Sequence, residues 1–126
     1  MSHYTVYLVE RLGMPRNHQV IFVETSPENN MGIRYHVTGN VQTGMVFEVK
    51  KEDTNPREES SFISMSKLGS MKETDLDRLE SICRSNPPPA KQFDGPHRID
   101  KTKPLRRCQE WVSETVGILR AEGVIV

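Results

Sequence analysis

Apolar residues come in short runs and alternations through the first half of the chain and recur at helical spacing in the second. Tyr4 to Glu10 carries Tyr4, Val6, Tyr7, Leu8 and Val9. The breakers Gly13-Met14-Pro15-Arg16-Asn17 separate it from a second run, His18 to Glu24, which holds Val20, Ile21, Phe22 and Val23. Two such runs around a breaker-rich link predict a β-hairpin. The polar, turn-prone Pro27 to Gly32 leads into Ile33-Arg34-Tyr35-His36-Val37-Thr38, whose period of two is that of a half-buried strand. Gly39-Asn40 closes it. Met45 to Val49 gives a fourth strand, the charged Lys50 to Ser60 a loop, and Ser61 to Met65 a fifth strand. Links this short predict an antiparallel meander.

After Gly69 the period changes. Thr74 with Asp77 three residues later has the form of a helix start, and Leu76, Leu79, Ile82 and Cys83 fall on one face of a helix lasting to about Arg84. Pro87-Pro88-Pro89 forbids helix, and the linker from Asn86 to Pro104 turns basic toward its end. A second helix is predicted from near Leu105 to about Ala121, with Gly123 as its stop. Cys108, Trp111, Val112, Thr115, Val116 and Leu119 form one broad face of it, with Trp111 as a core residue. The sum is one α+β domain over residues 1–126, an antiparallel sheet of about five strands packed against two helices.

Composition narrows the function classes. Seventeen basic residues balance seventeen acidic ones, without the basic excess that drives nucleic-acid binding, so no nucleic-acid partner is expected. No stretch approaches the roughly 20 apolar residues that span a bilayer, and the start has no basic flank before a long apolar run. The expectation is a soluble, cytoplasmic protein. Two cysteines, Cys83 and Cys108, both on predicted helices, give a disulfide framework little support. The chain lacks Gly-x-x-x-x-Gly-Lys-Ser/Thr, Gly-x-Gly-x-x-Gly and Gly-x-Ser-x-Gly, so nucleotide, dinucleotide and serine-hydrolase chemistry lack their motifs. No cofactor is expected.

Cys108 carries the chemical signal. It falls in the first turn of the predicted helix, where unpaired backbone N–H groups and the macrodipole favour a thiolate, with Arg106 and Arg107 adding positive charge. A cysteine nucleophile needs a base and a group to orient it. His18 opens one strand and His36 sits on the next, so antiparallel pairing places both imidazoles on one sheet face. Packing the Cys108 helix on that face would complete a triad. Bland readings compete: a cysteine on an apolar helix face is commonly a small buried hydrophobe, as Cys83 is read here. The strand face that His36 shares with Arg34 and Thr38 reads as exposed. From Arg98 to Arg107 five basic residues stand against Asp100, and Arg98, Lys101 and Arg107 are candidates to hold an anionic part of a substrate.

The segments His18-Gln19-Val20-Ile21-Phe22-Val23, Tyr35-His36-Val37 and Arg107-Cys108-Gln109-Glu110-Trp111-Val112 resemble the circularly permuted papain-like superfamily of lecithin retinol acyltransferase and related phospholipase/acyltransferases. The order His, His, Cys is theirs. The whole sequence also looks like small uncharacterised fungal proteins. The resemblance implies a permuted papain-like fold with Cys108 as nucleophile, His18 as its base and His36 as the group orienting His18. It further implies acyl transfer through a thioester from an ester, amide or isopeptide of a small-molecule, lipid-like or peptide substrate. Gln19 stands where those relatives have an aromatic residue, and Arg107 where they have Asn. Their membrane anchor has no counterpart in Gly123-Val124-Ile125-Val126, which is too short to span a bilayer. The alternatives are a catalytically silent ligand- or peptide-binding module of the same fold, and a zinc site on His18, His36 and Cys108. All three are competent zinc ligands, although no His-x-x-x-His or Cys-x-x-Cys pair is present.

Overall fold

Strict alternation makes every central strand two-sided. In the computed structural model, which describes residues 2–13, 16–29 and 31–126, β1 (His3–Arg11) and β2 (His18–Ser26) form the expected hairpin. They are followed by β3 (Met31–Asn40) and β4 (Gly44–Glu52), and β5 (Phe62–Lys72) completes the sheet. The strand order is β4-β3-β2-β1-β5 with every neighbouring pair antiparallel. The α+β architecture of five strands and two helices stands as read from the sequence. The simple meander holds only for β1 to β4: β5 pairs with β1 at the far edge. The charged link after β4 therefore crosses the sheet, and its length disguised a crossover as an ordinary connection.

That crossing creates a second core. On one face Val6, Ile21, Val23, Tyr35 and Val37 pack with α1 (Leu76–Ser85) and α2 (Cys108–Ala121), through Leu79, Cys83, Trp111, Val112, Val116 and Leu119. Trp111 is fully buried and its Nε1–H donates to the Asn86 carbonyl at 3.0 Å. On the opposite face Val9, Val20 and Phe22 cluster with Tyr7, Phe62 and Met65. The link covers them: Pro56, buried, and Glu59 line a small void against Val9, Val20 and Phe22. The Arg11–Glu59 ion pair holds it down, and Arg34 of β3 pairs beside it with Glu52 at the end of β4. A face lined by Arg34 and His36 is thus covered rather than exposed, and His36 is only 4% exposed.

Element ends shift for local reasons. α1 starts at Leu76 after a short 3-10 turn, Glu73–Asp75, and neither Thr74 nor Asp75 makes a side-chain cap. α2 begins at Cys108 rather than near Leu105, because Arg107 is extended and the Glu110 carboxylate accepts from its backbone N–H at 2.7 Å. That leaves Cys108 as the first helical residue. The linker contains a two-residue ladder, β6 (Phe93–Asp94) with β7 (His97–Arg98), too short to register as periodicity. It is stitched to the β3–β4 turn by Met45 N–H to the Pro89 carbonyl and Gln92 N–H to the Val41 carbonyl. Gly44 adopts φ +92°, and a side chain there would press on the Lys91 backbone at 3.3 Å.

Candidate functional site

The site grows from a fork in the sheet. The β2–β3 ladder ends at Ile21–Tyr35. Beyond it β2 continues against β1 to His18, and β3 continues against β4 to Asn40. The first turn of α2 enters the fork. There the Gln109 side-chain amide donates to the Asn17 carbonyl. Cys108 is 6% exposed, at the wall of a cavity of about 190 Å³. His18, Asn17, Arg16, Arg107 and the Gly39–Gln42 turn also line that cavity. The turn is held by Asn40, whose Oδ1 accepts from the N–H groups of Gln42 (3.0 Å) and Thr43 (2.9 Å).

His18 and His36 do converge. His18 Nε2 lies 2.8 Å from His36 Nδ1, and His36 Nε2 lies 2.8 Å from Glu48 Oε1. The two ring protons order themselves. An ionised carboxylate only accepts, so His36 carries its proton on Nε2; neutral His36 then accepts through Nδ1, and His18 must donate from Nε2. His18 Nδ1 keeps the lone pair, and it has no hydrogen-bond partner among the described residues. Burial, with help from His36 and Arg11, pushes the His18 pKa down to about 4. The His36 hydrogen bond holds Glu48 below the usual carboxylate range.

The relation to Cys108 differs from expectation in two ways. The α2 helix packs on the face of Ile21 and Tyr35, whereas His36 shares the other face with Arg34. Cys108 and His18 therefore border a common cavity at the fork, not one sheet face, and His36 lies behind His18 without lining that cavity. No hydrogen bond joins Cys108 to His18 among the described residues. Secondly, burial pushes the Cys108 thiol up, although the backbone N–H groups of Gln19, Gln109 and Cys108 pull the other way. The resting pair is thiol and neutral imidazole, not thiolate and imidazolium.

The three proposed anion-binding residues separate. Arg107 lines the Cys108 cavity. Arg98 lines a larger cavity, about 580 Å³, beneath the linker, which neither Cys108 nor either histidine touches. Its guanidinium donates to the carbonyls of Asp100 and Lys103. Lys101 is exposed and lines neither cavity. Glu48 and Arg16 were missed. Glu48 was accessible to counting: a hairpin closing at Asn40–Gly44 places residue 48 opposite residue 36. Arg16, in a breaker-rich loop, gave no signal. Among the described residues no three His, Cys, Asp or Glu side chains form a metal-binding group, so the zinc alternative finds no geometry. Nor is any described helix long and apolar enough to cross a membrane.

Residues 6–126 match a family of unknown function, DUF6540. No curated protein and no solved structure matches the chain.

Proposed function

The chain belongs to that family, and we propose that it is a cysteine hydrolase or acyltransferase with a permuted papain-like active site. The observation that carries this reading is the Glu48–His36–His18 chain, which leaves the Nδ1 lone pair of His18 free, with His18 lining the cavity that also holds Cys108. The order of the motifs along the chain, His, His, Cys at a helix start, adds to it.

In this reading His18 Nδ1 takes the thiol proton as the sulfur attacks an ester, amide or isopeptide carbonyl. The S–C bond forms and the carbonyl becomes an oxyanion. The Cys108 backbone N–H, at the first position of α2, is the donor to it, since the first helical N–H groups have no partner within the helix. Collapse expels the alcohol or amine, which leaves with the proton from His18. Water or another acceptor then attacks the thioester, releases the acyl group and restores the thiol. Because the thiol is raised and the imidazole lowered, proton transfer accompanies attack; no preformed ion pair is drawn on. His36 and Glu48 are positioning residues. Two free, buried cysteines are in keeping with a reducing, cytoplasmic setting.

A small panel of activated esters tests the reading by intact mass. A Cys108 acyl adduct that accumulates in wild type and is absent from Cys108→Ser and slow in His18→Ala supports it. No adduct with any ester in folded wild type would overturn it. The second reading, a silent binding module of the same fold, is favoured by the raised thiol and the missing Cys108–His18 hydrogen bond, and that negative result would move it to first place.

A further inference from the structure

The lining of the Cys108 cavity is one-sided in charge. Arg16 and Arg107 both border it, and no Asp or Glu does. Neither guanidinium is engaged in an ion pair among the described residues, in contrast to Arg11, Arg34, Arg78, Arg84 and Arg106. The nearest acid along the chain, Glu110, does not line it: its carboxylate accepts the Arg107 backbone N–H and its side chain borders the larger cavity, although its charge still helps to raise the Cys108 thiol. The rest of the lining mixes the amides of Asn17, Asn40, Gln42 and Gln109 with the apolar Val41 and Met45, which would face the non-charged part of a ligand. The open start of α2 adds the positive end of a helix dipole to the same space. Two cations lining a cavity that no acid lines lower the free energy of an anion there, and raise the rate at which one arrives.

Size limits what fits. About 190 Å³ is less than the roughly 300–1,000 Å³ of sites that enclose a drug-sized ligand. We infer that the cavity selects a short acyl group bearing an anionic end, a carboxylate or a phosphate, held between Arg16 and Arg107 while its carbonyl faces Cys108. This deepens the acyl-transfer reading and rests on Cys108 being the acceptor of that group. It also relocates the basic site: the guanidinium contributed from the linker end is Arg107 alone, and its partner comes from the β1–β2 loop, 91 positions earlier in the chain.

Iodoacetate and iodoacetamide deliver the same carbon to a thiol and differ in charge, so their rate ratio at Cys108, located by peptide mass mapping, reads the preference without any turnover. The ratio is expected to exceed that of free cysteine by about tenfold at low salt, to fall about threefold in either Arg16→Gln or Arg107→Gln and further in the double variant, and to shrink in molar salt. A ratio equal to that of free cysteine, or one that survives both substitutions, would overturn the inference. So would a Cys108 inert to both reagents. Arg16 is exposed, so its variant remains informative should Arg107→Gln fail to fold. His18→Ala separates the two readings: if its adduct formation with activated esters matches wild type while the ratio still follows the arginines, the base assignment falls and the anion preference stands.

Discussion

Cys83 and Cys108 are both free thiols on the apolar faces of helices that cover the same side of the sheet, and they could hardly be less alike chemically. Cys83 sits in the late turns of α1, 0% exposed, with its pKa pushed up to about 12 by burial, and it borders none of the three cavities described above. Cys108 is the first residue of α2, where the ladder of β2 and β3 has opened and the sulfur borders a cavity. Residue type and amphipathic register are shared. What differs is whether the helix presents its flank or its open end, and whether the strand pair beneath it is closed or forked.

The widest gap between the two thiols is access. With iodoacetamide under native conditions Cys108 is expected to react at least roughly a thousandfold faster than Cys83, which must wait for opening of the core; equal rates would erase the distinction. Next comes the base. His18→Ala is expected to lower kcat/KM on an activated ester by about 100-fold to 10,000-fold. In wild type the rate rises with pH as His18 loses its proton near pH 4, the value to which burial depresses it, and a pH–rate profile of the variant lacks that limb. Smaller again is the effect of Glu48, a half-exposed residue that acts only through His36. Glu48→Leu is expected to cost about tenfold in kcat, one charge-assisted hydrogen bond, and Glu48→Gln to recover most of it because an amide oxygen still accepts from His36 Nε2–H. Nitrogen NMR of the two rings reports the same change as a tautomer shift. The smallest effect inverts the ranking of the cysteines: Cys83→Ala costs about 1–2 kcal/mol of stability by urea titration and Cys108→Ala less than that, since only the first leaves a void in a closed core.

Much of this contrast was legible in the sequence. Alternation in Ile33–Thr38 and the 3.6-residue spacing from Cys108 to Leu119 located strand and helix, and the order His18, His36, Cys108 pointed to the two imidazoles that meet and to the thiol that shares a cavity with one of them. The faces were not. A period of two says that His36 and Tyr35 point opposite ways, but which face a helix covers depends on β5 crossing to the far edge, a pairing between residues some 60 positions apart. The full length of β5 was hidden for a related reason: Lys67, Gly69 and Ser70 are poor strand formers held by β1 on one side and by Val126 on the other, whose N–H and carbonyl both bond to Ser70. The raised thiol follows from burial that only packing reveals, whereas the helix-end field that argued for a thiolate is local and visible.

The forked strands also bear on how the chain acquires its chemistry. His18, His36 and Glu48 lie within one local hairpin stack, whereas Cys108 arrives with α2, at the end of the described chain and after β5 has closed the sheet. Contacts of such long sequence separation form late and melt cooperatively. Until α2 docks, Ile21, Val23, Tyr35 and Val37 offer a bare apolar surface to chaperones or to other nascent chains. The His18-assisted acylation proposed for Cys108 therefore needs the finished molecule, so its extent counts folded copies, whereas plain alkylation, open to any exposed thiol, does not.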